Sequence, residues 1–447
     1  MSQKSSAEQN DQPQPSNSVW DIMRYVIVVV LLVVGIWHVY FQKPIVLTVQ
    51  EARGMTMGTD YSVKVADFVK GTNPDVWKNI ETLIQQRLDE IDRMMSTYRT
   101  ESEVSRFNNS DSTDWFNVSK DTAEVVHIAL EISQLTEGAF DITVAPLVEL
   151  WGFGANRQHI LTINNLEEKT NQIKPKIGYD KLEVRLHPPA LKKSIPELRI
   201  DLSAIAKGYA VDCVAELLEE NGFVNYMVEI GGEVRCRGNK GAAGDWMIGI
   251  EKPFIVSTNE FHGLQRKLRI DDRALATSGD YQNYREIDGI RFSHVIDPRT
   301  GFPIERFAIS ESKVLKKEPL PKELLQTKPS QQELLKQESS SQESSLPESL
   351  QTKPLQSEPL PTELLQPERL QENSLQLDTK ERLGSVSVLA ETCVRADALA
   401  TAFFVLGEHK GLELAEKHGI AVLFLFRTER KDHPIREAPS TNFPEPE

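Results

Sequence analysis

Between residues 311 and 380 the chain carries no aromatic residue and no glycine, and Gln, Glu, Leu, Ser, Pro and Lys dominate. From Glu318 a five-residue unit repeats, as EPLPK, ELLQT, KPSQQ, ELLKQ, ESSSQ and on to NSLQL, with leucine usually third and Glu or Lys first. Five residues turn a helix by about 500°, so the leucines spiral around it and form no face. An odd period does not keep them on one side of a strand, and the prolines oppose a continuous helix. A pentapeptide-repeat β-helix is the ordered alternative, but small residues before each leucine are missing. A solvated tether is expected. Globular sequence lies on both sides, so a folded body has to be closed from two separate pieces of chain.

The 447 residues suffice for two or three units. A net charge of −15 argues against a nucleic-acid partner, which needs a basic face. Cys213, Cys236 and Cys393 show no CxxC spacing, so buried free thiols are expected rather than a zinc or disulfide framework. Residues 1–24 read as a polar, disordered segment. Residues 25–41, YVIVVVLLVVGIWHVYF, are uninterrupted by charge and lie between Arg24 and Lys43. At about 1.5 Å per residue they reach the lower limit for a membrane-spanning helix. A cleavable signal is the alternative, but Trp37, His38 and Tyr40 stand where a small-residue cleavage site would be. One uncleaved anchor is expected, with a cytoplasmic N-terminus and an exported body.

The body is expected at 46–305 and 383–430, with 311–380 as the insertion and 431–447 as a tail. LTVQEARGMTMGTDYSVKV suggests two strands about a Gly-Met-Thr-Met-Gly-Thr corner. Val76–Met95 is an amphipathic helix, and Ser119 is placed to cap a second one ending at Thr136. Leu182–Ile200 reads as a hairpin. In Arg199–Glu233, Val211, Val214, Ala215, Leu217 and Leu218 supply a helical apolar face. Asn221-Gly222 stops that helix, and a strand runs to Ile230. VRCRG, WMIGIE, Leu268–Ile270 and Ala274–Thr277 are expected to continue one antiparallel sheet. After the insertion, SVSVLA is a strand, RADALATAFFVLG and Lys410–Lys417 are helices, and AVLFLF is a buried strand.

Three local patterns could carry chemistry. Asp201 and Lys207 at a helix mouth, with Gly231-Gly232 and Glu233 after the next strand, suit a phosphorylated ligand or else solvated helix charges. Asp397 and Thr401 share one helix face and could hold a hard divalent cation, or form an ordinary solvated pair. His294, ahead of the Asp297-Pro298 turn, could be a general base or bond its own turn. Neither a P-loop nor a G-x-G-x-x-G fingerprint is present.

Taken in order, GMTMGT (54–59), STYR (96–99), GAFDITVAPL (138–147), IDLSAIAKGYAVD (200–212), EIGGE (229–233), ATSGDY (276–281), SHVIDPRTG (293–301) and ADALATA (396–402) resemble the FAD:protein FMN transferases, the ApbE-like flavin transferases. The resemblance implies an α+β fold, with a mixed sheet core, packed helices and two lobes around an FAD cleft. It implies magnesium-dependent transfer of FMN from FAD to a Thr or Ser hydroxyl of a partner, releasing AMP. By similarity Met57, Tyr98, Ala139, Phe140, Asp141, Asp201, Lys207, His294, Val295 and Ile296 contact FAD, with His294 as base. Ala204 through its carbonyl, Asp397 and Thr401 hold Mg2+. The implied partners are exported flavin-acceptor domains of redox proteins, such as NADH:quinone oxidoreductase subunits. The implied place is the bacterial inner membrane, with the catalytic body in the periplasm. An FAD pyrophosphatase and a non-catalytic FAD-binding protein are the alternative functions.

Overall fold

The computed structural model describes residues 18–41, 47–69, 73–154, 163–254, 263–280, 284–287, 290–304, 306–308, 381–430 and 433–446. Most of the expected disordered start and the pentad insertion lie outside them. Helix α1 (Ser18–Phe41) comes first, and its described side chains, Trp20 and Ile22 to Val34, are all exposed. Among the described residues no helix is long and apolar enough to cross a membrane.

Strands β1 (Leu47–Thr56) and β2 (Thr59–Val69) form the expected hairpin. Met57 and Gly58 close it at φ 48° and 77°, left-handed conformations that match the twist of paired strands. Helix α2 (Pro74–Met95) buries Trp77, Ile80, Ile84, Leu88, Ile91 and Met95, a stripe at steps of three and four. Each such aliphatic side chain stabilises the fold by roughly 1.5–3 kcal/mol. Helix α3 (Glu103–Asn109) starts at Ser102, which accepts a bond from the amide three residues on. Strand β3 (Phe116–Asn117) follows, and then α4 (Lys120–Leu135), capped by Ser119 in the same way. After α5 (Ala145–Leu150) and α6 (Ile163–Ile173), β4 (Leu182–Leu186) and β5 (Pro189–Lys193) pair, and β3 joins β5.

Helix α7 (Ala206–Glu220) buries Val211, Val214, Ala215 and Leu218, and stops at Asn221 and Gly222 as expected. A second tight hairpin joins β6 (Tyr226–Ile230) to β7 (Glu233–Arg237) through Gly231 and Gly232. The chain continues through β8 (Met247–Glu251), β9 (Leu264–Arg269) and β10 (Arg273–Gly279). Short strands β11 (Tyr284–Ile287), β12 (Ile290–Ser293), β13 (Ile296–Asp297), β14 (Phe302–Pro303) and β15 (Arg306–Ala308) precede the insertion. Beyond it come β16 (Glu381–Ala390), α8 (Cys393–His418), β17 (Ala421–Thr428) and β18 (Ile435–Pro439). Gly407, at φ 72° and ψ −178°, divides α8 into the two helices expected.

The main sheet runs β1-β2-β6-β7-β10-β16-β17-β18, antiparallel throughout. Its last three strands and α8 come from beyond the insertion, so the two pieces share one sheet. Helices α2, α4, α7 and α8 share a core with one face of it. On the other face Val234, Leu275, Leu389 and Leu423 meet Trp246, Ile248, Ile250, Leu268 and Ile270. A separate cluster holds Leu147, Leu150, Trp151, Leu166, Ile287 and Phe292. The three cysteines are free and buried, as expected.

Three expectations are corrected. The sheet core is not mixed, because every pairing in the main sheet is antiparallel. WMIGIE and Leu268–Ile270 do not continue the main sheet: β8 and β9 form a separate pair that packs on it. Alternation identifies which side of a strand is apolar, and it is silent on which strand lies alongside. Nor are residues 431–447 a tail. Strand β18 pairs with β17, and Ser440 and Phe443 are 3% and 5% exposed. Ser440 Oγ accepts from Val422 N at 2.9 Å and donates to the Ile420 carbonyl at 2.9 Å, so polar residues here complete a sheet edge.

Candidate active site

Helices α7 and α8 meet closely at Gly208. A Cβ there would stand 2.3 Å from the Cys393 carbonyl oxygen and 2.8 Å from Asp397 Cβ, so the contact requires glycine. Gly208 N donates to Asp397 Oδ2 at 3.0 Å. A regular helix would direct that amide to the carbonyl four residues earlier, which is that of Ala204. The crossing therefore brings a carboxylate in and frees a carbonyl at the same place.

Lys207 Nζ lies 2.7 Å from Glu233 Oε1 and 3.4 Å from Asp397 Oδ1. The two acid side chains are 5% and 4% exposed, the lysine 27%. Burial would lower the Lys207 pKa, but the Asp397 and Glu233 carboxylates hold it above its ordinary value. Burial pushes the Glu233 carboxyl well up, with Asp397 adding to the rise and Lys207 opposing it. Glu233 Oε2 has no hydrogen-bond partner among the described residues. One turn beyond Asp397, Thr401 Oγ1 lies 2.9 Å from Ser278 Oγ of β10.

The remaining expected contacts approach from other elements. Asp201 accepts from Ser203 N at 2.8 Å, and its own amide bonds the Ile142 carbonyl at 2.7 Å. Asp141 is buried, and it accepts from Thr143 N, Thr143 Oγ1 and Tyr179 N at 2.7–2.9 Å. Burial raises its pKa against those bonds. Tyr98 is 63% exposed, whereas Phe140 is 3% exposed within the main core, so Tyr98 is the aromatic free to cover a flavin face. His294 stands edge-on to Phe153, ring centroids 6.3 Å apart, just before the turn that Asp297 closes by accepting from Gly301 N at 2.7 Å.

The site residues expected from the sequence line one cavity of about 1710 Å3. Met57, Tyr98, Ala139, Phe140, Asp141, Asp201, Ala204, Lys207, His294, Val295, Ile296, Asp397 and Thr401 each border it. Residues from every quarter of the described chain thus converge on one place.

The ApbE family model matches residues 57–316 and 377–424. This chain belongs to the ApbE family. The break between the two matched blocks falls within the pentad insertion. The FAD:protein FMN transferase of Vibrio cholerae is 35% identical over 390 residues, covering 87% of this chain and 90% of that protein. The one from Haemophilus influenzae is 33% identical over 381 residues, 84% of this chain and 86% of that protein. The solved structure of the flavin transferase ApbE from Vibrio cholerae superposes with a TM-score of 0.63 at 33% identity, covering 89% of this chain and 98% of that one.

In this ApbE chain the donor chemistry fits a hard divalent cation. The Ala204 carbonyl, Asp397 carboxylate and Thr401 hydroxyl are all oxygens, and one lysine faces two buried acids. No group of three or more His, Cys, Asp and Glu set to hold a metal occurs among the described residues. Magnesium does not require one, because it keeps waters and phosphate oxygens as further ligands. The sequence places Glu233 after the glycine pair of a candidate phosphate site and does not mark it as a ligand contact. Its burial, its pairing with Lys207 and its free oxygen make it part of the site, and the only signal was an acid behind a glycine pair.

Proposed function

We propose that this chain moves FMN from FAD onto a hydroxyl of a partner protein. Two things support the reading: membership of the ApbE family, and one cavity that joins the Lys207–Glu233–Asp397 cluster and Thr401 to Tyr98 and His294. In the reaction the acceptor oxygen bonds to the FMN phosphorus. The phosphoanhydride P–O bond breaks, AMP leaves with the bridging oxygen, and the hydroxyl proton passes to a base, for which His294 is the candidate.

Ala204, Asp397 and Thr401 would hold Mg2+, which when bound draws charge from the pyrophosphate oxygens. Lys207 supplies a positive charge held in place by two buried carboxylates, where a pre-positioned charge counts for more than one in water. Asp201 and the Met57 turn border the cofactor, Tyr98 covers the flavin, and Val295 and Ile296 give it an apolar wall. Residues 25–41, of which only 25–34 have described side chains, are proposed to anchor the protein in the inner membrane, with the body in the periplasm and exported redox subunits as acceptors.

Incubating the full chain with FAD, Mg2+ and an acceptor domain tests the reading. Covalent flavin fluorescence on the acceptor with stoichiometric AMP is expected. AMP without labelling of any acceptor makes the protein a pyrophosphatase, and no turnover makes it an FAD binder.

A further inference from the structure

The cavity extends well past the acid–lysine cluster. Its volume exceeds the roughly 300–1,000 Å3 of small-molecule sites, which leaves room beside a dinucleotide. One wall of this extension is strand β8, all five of whose residues border the cavity. Successive side chains of a strand point to opposite faces, and Ile248 and Ile250 are indeed buried while Met247, Gly249 and Glu251 are exposed. A wall made of consecutive residues is therefore an edge and not a face.

That edge is open. Trp246 O accepts from Ile270 N at 3.3 Å, and Lys252 N donates to Gly263 O at 3.2 Å. Between them the register pairs Ile248 with Leu268, Ile250 with Arg266 and Glu251 with Leu264. Antiparallel partners alternate between exchanging bonds and not. Ile248 and Ile250 thus bond to β9, while the N–H and C=O groups of Met247, Gly249 and Glu251 point away from it. Among the described residues β8 pairs with β9 alone. The opposite wall is the outward face of β2 and β6, where Lys64 faces Met227, and the groove leads to Gly231-Gly232 and Glu233. An open strand edge invites another chain, and here it leads to the phosphate-handling end of the cavity.

We infer that the acceptor polypeptide docks in extended form as an added strand on the outer edge of β8. This places its reactive hydroxyl at the Lys207–Glu233–Asp397 end of the groove. The inference rests on the flavin-transfer reading, which requires a protein chain to enter this cavity. Main-chain bonds to residues 247, 249 and 251 would provide much of the affinity, as in other strand additions.

Hydrogen–deuterium exchange on the FAD-loaded, full-length protein tests it, using an acceptor domain that the wild type labels. The amides of Met247, Gly249 and Glu251 should slow about tenfold at saturating acceptor, while those of Ile248 and Ile250, already bonded to β9, stay unchanged. A second measurement uses Met247→Pro, since proline is tolerated on the open side of an edge strand. It removes one outward donor, so the KM for the acceptor should rise up to about tenfold, with FAD affinity and kcat preserved. Labelling without protection of the three amides overturns this inference alone, as does a folded Met247→Pro with an unchanged acceptor KM. No labelling of any acceptor by the wild type overturns the flavin-transfer reading and this inference with it.

Discussion

Two buried acid groups sit in the seam between α7 and α8 and are treated in opposite ways. Asp212 of α7 is 5% exposed, and it accepts from Cys393 N at 3.0 Å, Val394 N at 2.8 Å and Arg235 Nη1 at 2.8 Å. Burial raises its pKa, and those two amides and the guanidinium oppose the rise. It thereby caps α8, which Thr392 does not do with its own side chain, and places a negative charge where the helix dipole favours one. Less than two turns away, Glu233 and Asp397 share Lys207, Asp397 also accepts from Gly208 N at 3.0 Å, and one Glu233 oxygen has no partner among the described residues. A saturated carboxylate builds structure. An under-satisfied pair is costly in the empty protein and is retained where a ligand completes it.

The contrast can be broken most sharply at Asp397. Asp397→Ala should reduce Mg2+-dependent turnover by about a thousandfold, a loss expected when transition-state charge stabilisation goes, while leaving the chain folded by circular dichroism. Full activity in this variant would remove Asp397 from the site. At the saturated end, Asp212→Ala should destabilise the chain by about 3 kcal/mol, because Arg235 and two helix amides lose a buried partner. Denaturant titration measures it, and a loss below about 1 kcal/mol would mean that water replaces the cap. Gly208→Ala probes the crossing on which both ends depend. The nearest atom is backbone, so the helices must separate, and a cost of about 1–3 kcal/mol with a weaker Mg2+ requirement is expected.

The smallest expected effect is on pH dependence. Glu233 carries a folded-state pKa above its ordinary value, so the native state binds more protons than the unfolded one. Its contribution to stability is fully present below the ordinary glutamate range and is lost as pH rises through its raised pKa. Metal-free wild type should therefore lose stability over that interval, and Glu233→Gln should flatten the slope. An equal slope in both would show that Lys207 neutralises Glu233 fully.

The parts legible in the sequence are those decided within a few residues. The α2 stripe, the Ser119 cap, the Met57-Gly58 corner and the Asn221-Gly222 stop each depend on local periodicity or on one backbone conformation. The site was legible as scattered motifs, and its chemistry as the residue types they carry. The diversion of the Gly208 amide to Asp397, the Glu233 oxygen left without a partner among the described residues and the capping of α8 by Asp212 were not, since each depends on segments remote in sequence. Asp212 and Val394 lie 182 positions apart.

By itself, then, the sequence determined the local elements and the class of ligand that suits an acid, a lysine and a hydroxyl. Tertiary structure alone decided that β16 pairs with β10 across the insertion, that β8 leaves the main sheet, and that β18 closes the sheet's far edge. The reason is that turns and helices are governed by near neighbours. Strand partnership and the balance of buried charge are settled only when distant segments exclude water together.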